Sequence, residues 1–600
     1  MNQKLENLLQ LALQTPEETR ARTGDLNVGF DEETRTWELI IKYHGNLEGL
    51  EEAGILFEPL IAGYGILTVP EPLVEAVAEL EQIEYVEKPK RYFYQITNPV
   101  SDSCIVQVSG RDLSLTGKGV LLAVLDSGID ITLPEFKKTD RSTRIRYLLD
   151  QTMGNREFSG EELDRLLQES GQTESSDAAK GSRRFPGMDS SGHGTAVAGI
   201  AGSSPVRKGD INYQGVATEA EFLIVKLGVP DARSFPRTTE ILRGVTWAIR
   251  KSLELGMPLV INLSFGNSYG AHDGASLIER FLDNLAEIGR TVICVGSGNE
   301  GANGGHLAGS LERAGSVAGL PSGRQPASFY RPAQIELAVA EYEQTLNVQL
   351  WKNYSDSYRI FLRAPGGEEV QVPDRVNGGK YVLELEETEI LVYQGEPTPY
   401  TVAQEIYFDM LPSGRRYITS GIWTFRIEPV EVVTGNYYFY LPAAAVRNAG
   451  TGFYQSTPEV TLTIPSTASK VLTVGAYDSV YQAYADFSGR GYANTDRTIG
   501  VVTAGFAKPD IVAPGVDVPA PNLYGGYTPV TGTSFATPIV AGAAALLMEW
   551  GIVRGNDTFL YGEKVKAYLR KGAQPIRGES VYPNQRVGWG RLCVAESLKK

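Results

Sequence analysis

The chain has 600 residues, of which 42% are hydrophobic and 21% are charged. This composition excludes global disorder, and the length exceeds what one hydrophobic core supports, so the sequence predicts two or three domains. The formal net charge of −16 is spread along the chain without a basic stripe. That pattern argues against binding to nucleic acid or to an anionic membrane surface.

No targeting segment or covalent cross-link is expected from the sequence. Residues 1–30 contain acids throughout and lack the apolar core of a secretory signal, so the chain is expected to act where it is made. The longest apolar stretch, Ile539 to Met548, is too short to span a bilayer, and no membrane segment is expected. Cys104, Cys294 and Cys593 lie far apart without neighbouring histidines, which indicates three reduced packing residues.

The N-terminal region mixes strand and helix patterns. A strand is predicted at 37–45, one or two more at 54–70, and a helix at 72–84 from its apolar spacing and its early proline. These elements predict a small α+β domain over residues 1–95. The segment that leaves it, "YFYQITNP" (92–99), is expected to be extended.

From Gly117 onward the pattern becomes that of an α/β domain. Continuous apolar runs that end in small or polar residues lie at 119–128, 221–228, 258–266 and 291–299. Such runs are typical of strands covered on both faces, which means a parallel sheet flanked by helices. Functional groups of these sheets gather where the strands end.

Between residues 305 and 463 apolar and polar positions alternate with a period of two. The alternation, broken by glycine-rich turns, predicts antiparallel strands that form a β-sandwich or jelly roll. The α/β pattern resumes at 466–478. We therefore predict an α/β domain in two parts, 96–304 and 464–600, with an antiparallel β domain inserted between them.

Four polar side chains lie in segments predicted at strand ends and together can support acyl transfer. A serine hydroxyl such as that of Ser534 is a weak nucleophile unless a base removes its proton, and His193 is the natural base. A buried aspartate, Asp126, can orient the imidazole and stabilise its charged form. Asn299 can donate its side-chain amide to an oxyanion, helped by the start of the helix at Ser534.

The segments that contain Asp126, His193 and Ser534 follow in that order, with "SGNEG" between the last two. In this they resemble the subtilisin family of serine proteases. The resemblance covers about 117–304 and 464–600. It implies that the four side chains are the catalytic triad and the oxyanion donor, and that "LSFGN" and "VGSG" bind the substrate backbone as an extra strand. The substrate-binding positions so implied are Ser264, Phe265, Gly266 and Gly296.

The N-terminal domain and the β insertion restrict the resemblance to one group within the subtilisin family. The domain at 1–95 resembles a subtilase propeptide, which implies self-cleavage between Gln95 and Ile96 and a propeptide that stays bound non-covalently. With the insertion between Asn299 and Ser534, the chain resembles the Csp group of clostridial spore proteases. In that group the insertion is a jelly roll that rigidifies the core, and some members lack triad residues.

The Csp resemblance implies a role and a location. Csp enzymes activate a cortex-lytic hydrolase zymogen by limited proteolysis during germination, which predicts a monomeric protease in the cytoplasm or packaged in the spore. Calcium is allowed by the family, but no D-x-D-x-D-G loop locates it, so no cofactor or metal ligand is assigned. Of the remaining histidines, His44 is expected at a strand end or on the surface, and His272 and His306 in solvent-facing loops.

Two other functions stay open at this point. The first is a general intracellular subtilase that degrades many peptides, for which turnover of unfolded casein would be diagnostic. The second is a non-catalytic scaffold whose β insertion recognises a partner, and labelling of Ser534 by a fluorophosphonate would exclude it.

Overall fold

The computed structural model describes residues 2–23, 25–47, 49–90, 93–94, 103–105, 108, 113–171, 185–208, 211–228, 236–313, 325–373, 380–492 and 507–599. The predicted autoprocessing residues Gln95 and Ile96 lie outside these ranges.

The N-terminal part is a small α+β unit with an antiparallel sheet of order β1-β2-β4-β3, and β5 pairs with β2. Alternate residues of β2 face opposite ways, as the strand period requires. Trp37 and Leu39 pack on the helices of this unit, whereas Ile40 packs on the core of the α/β part. Its elements are α1 Asn7–Gln14, α2 Glu17–Arg20, β1 Phe30–Asp31, β2 Thr36–Tyr43, β3 Leu56–Pro59, β4 Tyr64–Pro70, α3 Val74–Glu79, β5 Ile83–Glu87 and β6 Phe93–Tyr94.

The helix predicted at 72–84 is shorter than expected. It ends at Glu79, and Ile83 begins β5 instead. Leu80 already has an extended conformation. The spacing of apolar residues does not reveal this change, because Val77 and Ile83 are buried in the same core from a helix and from a strand.

The first half of the α/β part follows β6. At the starts of α6 and α7, the carboxylate of the third helical residue, Glu240 or Glu279, accepts the backbone N–H of the residue before the helix, which satisfies a donor at the helix start. The elements are β7 Leu121–Asp126, β8 Ile145–Asp150, β9 Arg156–Ser159, α4 Gly160–Gly171, α5 His193–Gly202, β10 Val206–Lys208, β11 Ile211–Tyr213, β12 Glu221–Lys226, α6 Thr238–Leu255, β13 Leu259–Leu263, β14 Phe265–Gly266, α7 Leu277–Leu285 and β15 Thr291–Gly296.

The next part of the chain is built of antiparallel strands in two sheets. One has the order β16-β26-β19-β24-β23-β22, and the other has the order β21-β20-β25-β18-β27 with β17 on β25. Residues from both sheets share one apolar core, with Trp423 and Phe425 from one sheet and Phe408 from the other. The strands are β16 His306–Ser310, β17 Gln325–Pro326, β18 Ala333–Val339, β19 Leu346–Asn353, β20 Ser357–Arg363, β21 Glu369–Gln371, β22 Lys380–Leu385, β23 Thr388–Gln394, β24 Ala403–Pro412, β25 Gly421–Val432, β26 Asn436–Tyr440 and β27 Gly452–Phe453.

The chain then returns to the α/β part and completes its sheet. The order is β29-β28-β15-β13-β7-β12-β8-β9, with β30 on β28, and the pairs from β30 through to β8 are parallel. The predicted parallel sheet with an antiparallel insertion is thus confirmed. The remaining elements are β28 Leu472–Asp478, β29 Ala483–Tyr484, β30 Ile511–Pro514, β31 Val518–Pro521, β32 Tyr527–Val530, α8 Thr533–Met548, α9 Glu563–Gly572 and α10 Val594–Ser597.

Helix α8 is longer than the sequence indicated. It begins at Thr533, before the apolar run, and continues beyond Met548 as a π-helical turn. Among the described residues this segment, Thr533–Val553, is the one helix long and apolar enough to cross a membrane, and it extends on both sides of the stretch Ile539 to Met548 on which the expectation rested. Because 89% of its most apolar window is buried inside the protein, it has the burial of a core helix.

Two expectations about single residues are also wrong. Cys104 and Cys593 form a disulfide, with Cα atoms 4.9 Å apart, whereas Cys294 is a buried free thiol. The disulfide partners are 489 positions apart, so local spacing gave no sign of it. His272 and His306 are buried rather than solvent-facing, because both rings pack against the ring of Tyr440 in the insertion.

Candidate active site

The site is built around a buried pair of side chains at the end of β7. Asp126 is the last residue of that strand, and His193 is the first residue of α5. The His193 Nδ1 atom lies 2.7 Å from Asp126 Oδ1, and both residues are at most 3% exposed. A Cβ atom on Gly194 would lie 2.2 Å from the carbonyl oxygen of Gly128, so a glycine after the histidine permits this approach.

The surroundings of His193 raise the pKa of its imidazole. Burial lowers the pKa of its imidazole, but the charge of Asp126, its hydrogen bond and the charge of Asp189 together raise that pKa above the ordinary value. An imidazole with this environment is a stronger base, and the neighbouring carboxylate stabilises the charge that it acquires.

Asp189 is a functional candidate that the sequence analysis missed. Its Oδ1 atom accepts hydrogen bonds from Ser127 Oγ (2.8 Å) and from the backbone of Gly192 (2.9 Å). Its Oδ2 atom accepts from the backbone N–H (2.9 Å) and hydroxyl (2.8 Å) of Thr195. The carboxylate therefore ties the start of α5 to the residue after Asp126. Its position four residues before His193, followed by Ser-Ser-Gly, is the sequence signal of such a capping role.

Ser534 is the second residue of α8, and it lies against the strand-end segment that contains Ser264. The Ser534 Oγ atom donates to the carbonyl oxygen of Ser264 (3.0 Å), and Ser264 Oγ donates to the carbonyl oxygen of Ser534 (2.8 Å). Asn262 Nδ2 donates in turn to Ser264 Oγ at 2.8 Å. The next residue, Phe535, has its ring centroid 5.3 Å from that of His193, so the serine and histidine segments are in contact.

Asn299 is fixed in an orientation that suits an oxyanion donor. Its Oδ1 atom accepts from the backbone N–H of Thr533 (3.0 Å) and from the Thr533 hydroxyl (3.1 Å). Since the amide oxygen is engaged at the start of α8, the Nδ2 donor is directed away from Thr533. The predicted residues Asn299 and Ser534 are thereby brought to the same helix end.

The predicted substrate-binding positions divide into two groups. Phe265 and Gly266 pair in antiparallel fashion with Tyr94 and Phe93, so β6 already lies along this wall as an added strand. Gly296 faces elsewhere, because a Cβ atom there would point toward the Thr537 hydroxyl of α8, 3.0 Å away.

No cluster of metal-binding side chains marks a calcium site among the described residues. In the part of the chain that the structure describes, no group of three or more His, Cys, Asp or Glu side chains could hold a metal ion. Calcium, which the family resemblance allows, is therefore assigned to no described residue and to no step of the chemistry.

Two protein-family models match the chain. Residues 117–395 and 434–590 match the model of the subtilase family, peptidase S8. The chain belongs to the subtilase family. Residues 3–90 of this subtilase match a second model, the Csp protease B prodomain. The propeptide resemblance of the N-terminal unit is thus confirmed.

Similar proteins are found among solved structures and among curated proteins. The structure of the Clostridium perfringens CspB protease is 31% identical, with a TM-score of 0.71, over 83% of this chain and 95% of that one. Minor extracellular protease Vpr of Bacillus subtilis is 22% identical over 81% of this chain, and C5a peptidase of Streptococcus pyogenes is 22% identical over 76%. This subtilase spans 52% and 39% of the length of those two relatives.

Proposed function

We propose that this subtilase is an active serine endopeptidase. The buried 2.7 Å contact between Asp126 and His193 is the observation that supports it most directly. Ser534 Oγ attacks the carbonyl carbon of the scissile bond while its proton passes to His193 Nε2, and the imidazolium then protonates the leaving amine. Water releases the acyl group by the same route in reverse, with Asp126 stabilising the imidazolium throughout.

The negative charge of the tetrahedral intermediate is stabilised by two groups. One is the Asn299 Nδ2 donor, whose direction is set by the bonds of its Oδ1 atom to Thr533. The other is the N-terminal end of α8, where the helix dipole favours negative charge. Loss of one such donor is known to cost about 10²–10³-fold in kcat in subtilisin.

The substrate binds as an added strand on β14, as β6 does in the intact chain. The pairing of Tyr94 with Phe265 occupies this wall immediately before the predicted scissile bond, Gln95–Ile96. Since Ser264, the residue before Phe265, contacts Ser534 directly, a strand that continues along the wall approaches the nucleophile. We infer that the first substrate is the chain itself and that the released prodomain stays bound.

Intact mass spectrometry tests this activity. Wild type is expected as two fragments separated between Gln95 and Ile96, and Ser534→Ala is expected as one full-length chain. A matched control is Ser264→Ala, which keeps the nucleophile and is expected to be cut, though more slowly. Full-length wild type, or cleavage of both wild type and Ser534→Ala, would contradict the proposal.

For the physiological substrate we propose a protein zymogen, the cortex-lytic hydrolase that Csp proteases activate. The Csp prodomain match and the likeness to CspB support this choice. Limited proteolysis also fits a cleft already lined by an added strand, since a substrate must then present one extended segment. We propose that the enzyme acts as a monomer in the cytoplasm or in the spore.

The zymogen and casein distinguish the two protease functions. A zymogen activator cuts folded pro-hydrolase at one site and degrades unfolded casein slowly. A general subtilase degrades unfolded casein rapidly and cuts the folded pro-hydrolase slowly. A scaffold cuts neither protein, and a fluorophosphonate does not label its Ser534.

A further inference from the structure

The oxyanion donor lies at a junction between the α/β part and the inserted sheets. Asn299 follows β15 of the parallel sheet, and only a few residues later the chain enters β16 of the insertion. Two insertion residues bind this loop through their backbones: Phe453 N–H donates to the carbonyl of Gly304, and Leu441 N–H to that of Gly305, both at 2.9 Å. The loop that places Asn299 is therefore shared by the two parts.

The residue after the oxyanion donor is a buried carboxylate. Glu300 is 8% exposed. Its Oε2 atom accepts a hydrogen bond from Asn303 Nδ2, within the same loop, and from the backbone N–H of Ala444, in the insertion, at 3.4 Å. A buried carboxylate is costly unless a compensating charge or several donors face it.

Arg447 of the insertion supplies that charge and connects the loop to a second buried carboxylate. Its Nη2 atom donates to Asn303 Oδ1 (3.3 Å), and its Nη1 atom donates to the carbonyl of Thr451. The Thr451 hydroxyl donates to the carboxylate of Glu343 at 2.6 Å. The charges of Glu300 and Glu343 both act on the Arg447 guanidinium, which is itself only 9% exposed.

Such a network has one low-energy arrangement. A buried guanidinium with fixed donor directions holds its acceptors in one geometry, and removal of one ion leaves the others unpaired in a medium of low dielectric constant. The loop between Asn299 and Gly305 would then rearrange to expose Glu300. Asn299, directly bonded along the chain to Glu300, would move with it.

We propose that Arg447 is a positioning residue for catalysis, which holds the Asn299 amide in the oxyanion geometry through Asn303 and Glu300 without touching the substrate. This proposal rests on the proposed peptidase activity. It assigns to the β insertion a direct part in the rate of the chemical step.

A double-mutant cycle tests it. The enzyme is expressed as the full-length chain and assayed after autoprocessing, with an internally quenched peptide that contains YFYQITNP as substrate. Arg447→Met is expected to lower kcat roughly ten-fold, because a small misplacement of a catalytic group is enough for such a loss, with KM changed less than two-fold. In the Asn299→Ala background the same substitution is expected to change kcat less than two-fold. Arg447→Lys keeps the positive charge but lacks the fixed donor directions of the guanidinium, and it is expected to recover part of the lost kcat.

Arg359→Met is the matched control, because Arg359 is an exposed arginine on β20 of the same insertion, and its kcat should equal that of wild type. Equal losses of kcat from Arg447→Met in both backgrounds, or a loss confined to KM, would overturn the positioning role and leave the peptidase intact. An inactive wild type would overturn both. If Arg447→Met does not fold, the cycle is run with Arg447→Lys, and additivity there overturns the proposal equally.

Discussion

At the scale of single residues, His193, the proposed catalytic base, depends on more than its partner Asp126. Asp189 accepts hydrogen bonds from both sides of the Asp126–His193 pair, through Ser127 and Thr195. It also adds negative charge near the imidazole. The carboxylate thus has a geometric role and an electrostatic role. In a single isosteric variant, the free energy of unfolding reports on the first role and the pH dependence of kcat/KM on the second.

Asp189→Asn is expected to shift the acid limb of the pH dependence of kcat/KM to lower pH. Asp189 raises the pKa of His193, so loss of its charge lowers that pKa, and the neutral base persists at more acidic pH. We also expect a loss of about 1–3 kcal/mol in the free energy of unfolding, because an amide cannot accept all the bonds of the carboxylate. Rate profiles and urea denaturation measure the two effects.

The exposed Asp140 provides the control. Asp140→Asn should leave both the acid limb and the urea midpoint unchanged, since Asp140 caps a surface turn at Ser142. An unshifted acid limb in Asp189→Asn, together with reduced stability, would show that the carboxylate acts only as a cap.

At the scale of elements, the two helices that begin with His193 and with Thr533-Ser534 pack directly on each other. Gly542 of α8 lies against α5, where a Cβ atom would be 2.7 Å from the carbonyl oxygen of Ala201 and 2.5 Å from Val216 Cβ. This glycine therefore permits a close approach of α8 to α5 and to Val216, in the loop before β12. This contact fixes the spacing between His193 and Ser534.

Gly542→Ala is expected to push α8 away from α5. Because a buried helix contact tolerates extra volume poorly, we expect a loss of about 1–3 kcal/mol in stability and a fall in kcat of roughly ten-fold from misplacement of Ser534. Thermal unfolding and peptide hydrolysis measure these effects. Gly526→Ala is the control, because its Cβ atom would meet side-chain atoms at an ordinary 3.5 Å. Equal kcat values in the two variants would contradict the role of the helix contact.

The elements also show what the sequence could and could not predict. Asp126 and Asn299 were predictable as neighbours at one sheet edge, because each follows an apolar run and parallel strands bring such ends together. His193 and Ser534 were predictable as residues at helix starts, because small or apolar residues follow each of them. Asp189 and Arg447 were not, since their partners are set by loops whose course depends on tertiary packing. The inward direction of His272 has the same cause, because its cover, Tyr440, comes from a strand far along the chain.

At the scale of the whole molecule, the prodomain contacts the insertion as well as the α/β part. Lys90 bridges Glu6 and Glu87, at 2.9 and 2.7 Å, and the insertion adds a third buried carboxyl group, Glu405. One ammonium group therefore faces three carboxyl groups. Burial and then the charge of Glu6 raise the pKa of Glu405 to about 8, Glu87 adds to this, and Lys90 and Asn7 oppose it.

This junction is expected to lose stability as the pH rises. A free glutamate ionises near pH 4.3, whereas Glu405 in the folded protein keeps its proton up to about pH 8, so between these values the unfolded state releases a proton that the folded state retains. This change of stability with pH is opposite in sign to that expected for an ion-paired glutamate. For Ser534→Ala, which keeps the prodomain attached, we expect this group to cost on the order of 2–4 kcal/mol between pH 5 and pH 8.

Glu405→Gln in the Ser534→Ala background is expected to remove that part of the pH dependence. Glutamine resembles the protonated carboxyl group in shape but does not ionise, so the unfolding midpoint should fall less between pH 5 and pH 8 and the two proteins should diverge most at pH 8. Glu389→Gln, at a partly exposed position of β23, controls for the loss of one carboxylate. Parallel curves of stability against pH for the Glu405 and Glu389 variants would contradict this prediction. They would mean that Glu405 is ionised at neutral pH and that Lys90 compensates all three carboxylates. The placement of Glu405 between the prodomain and the insertion argues against that arrangement.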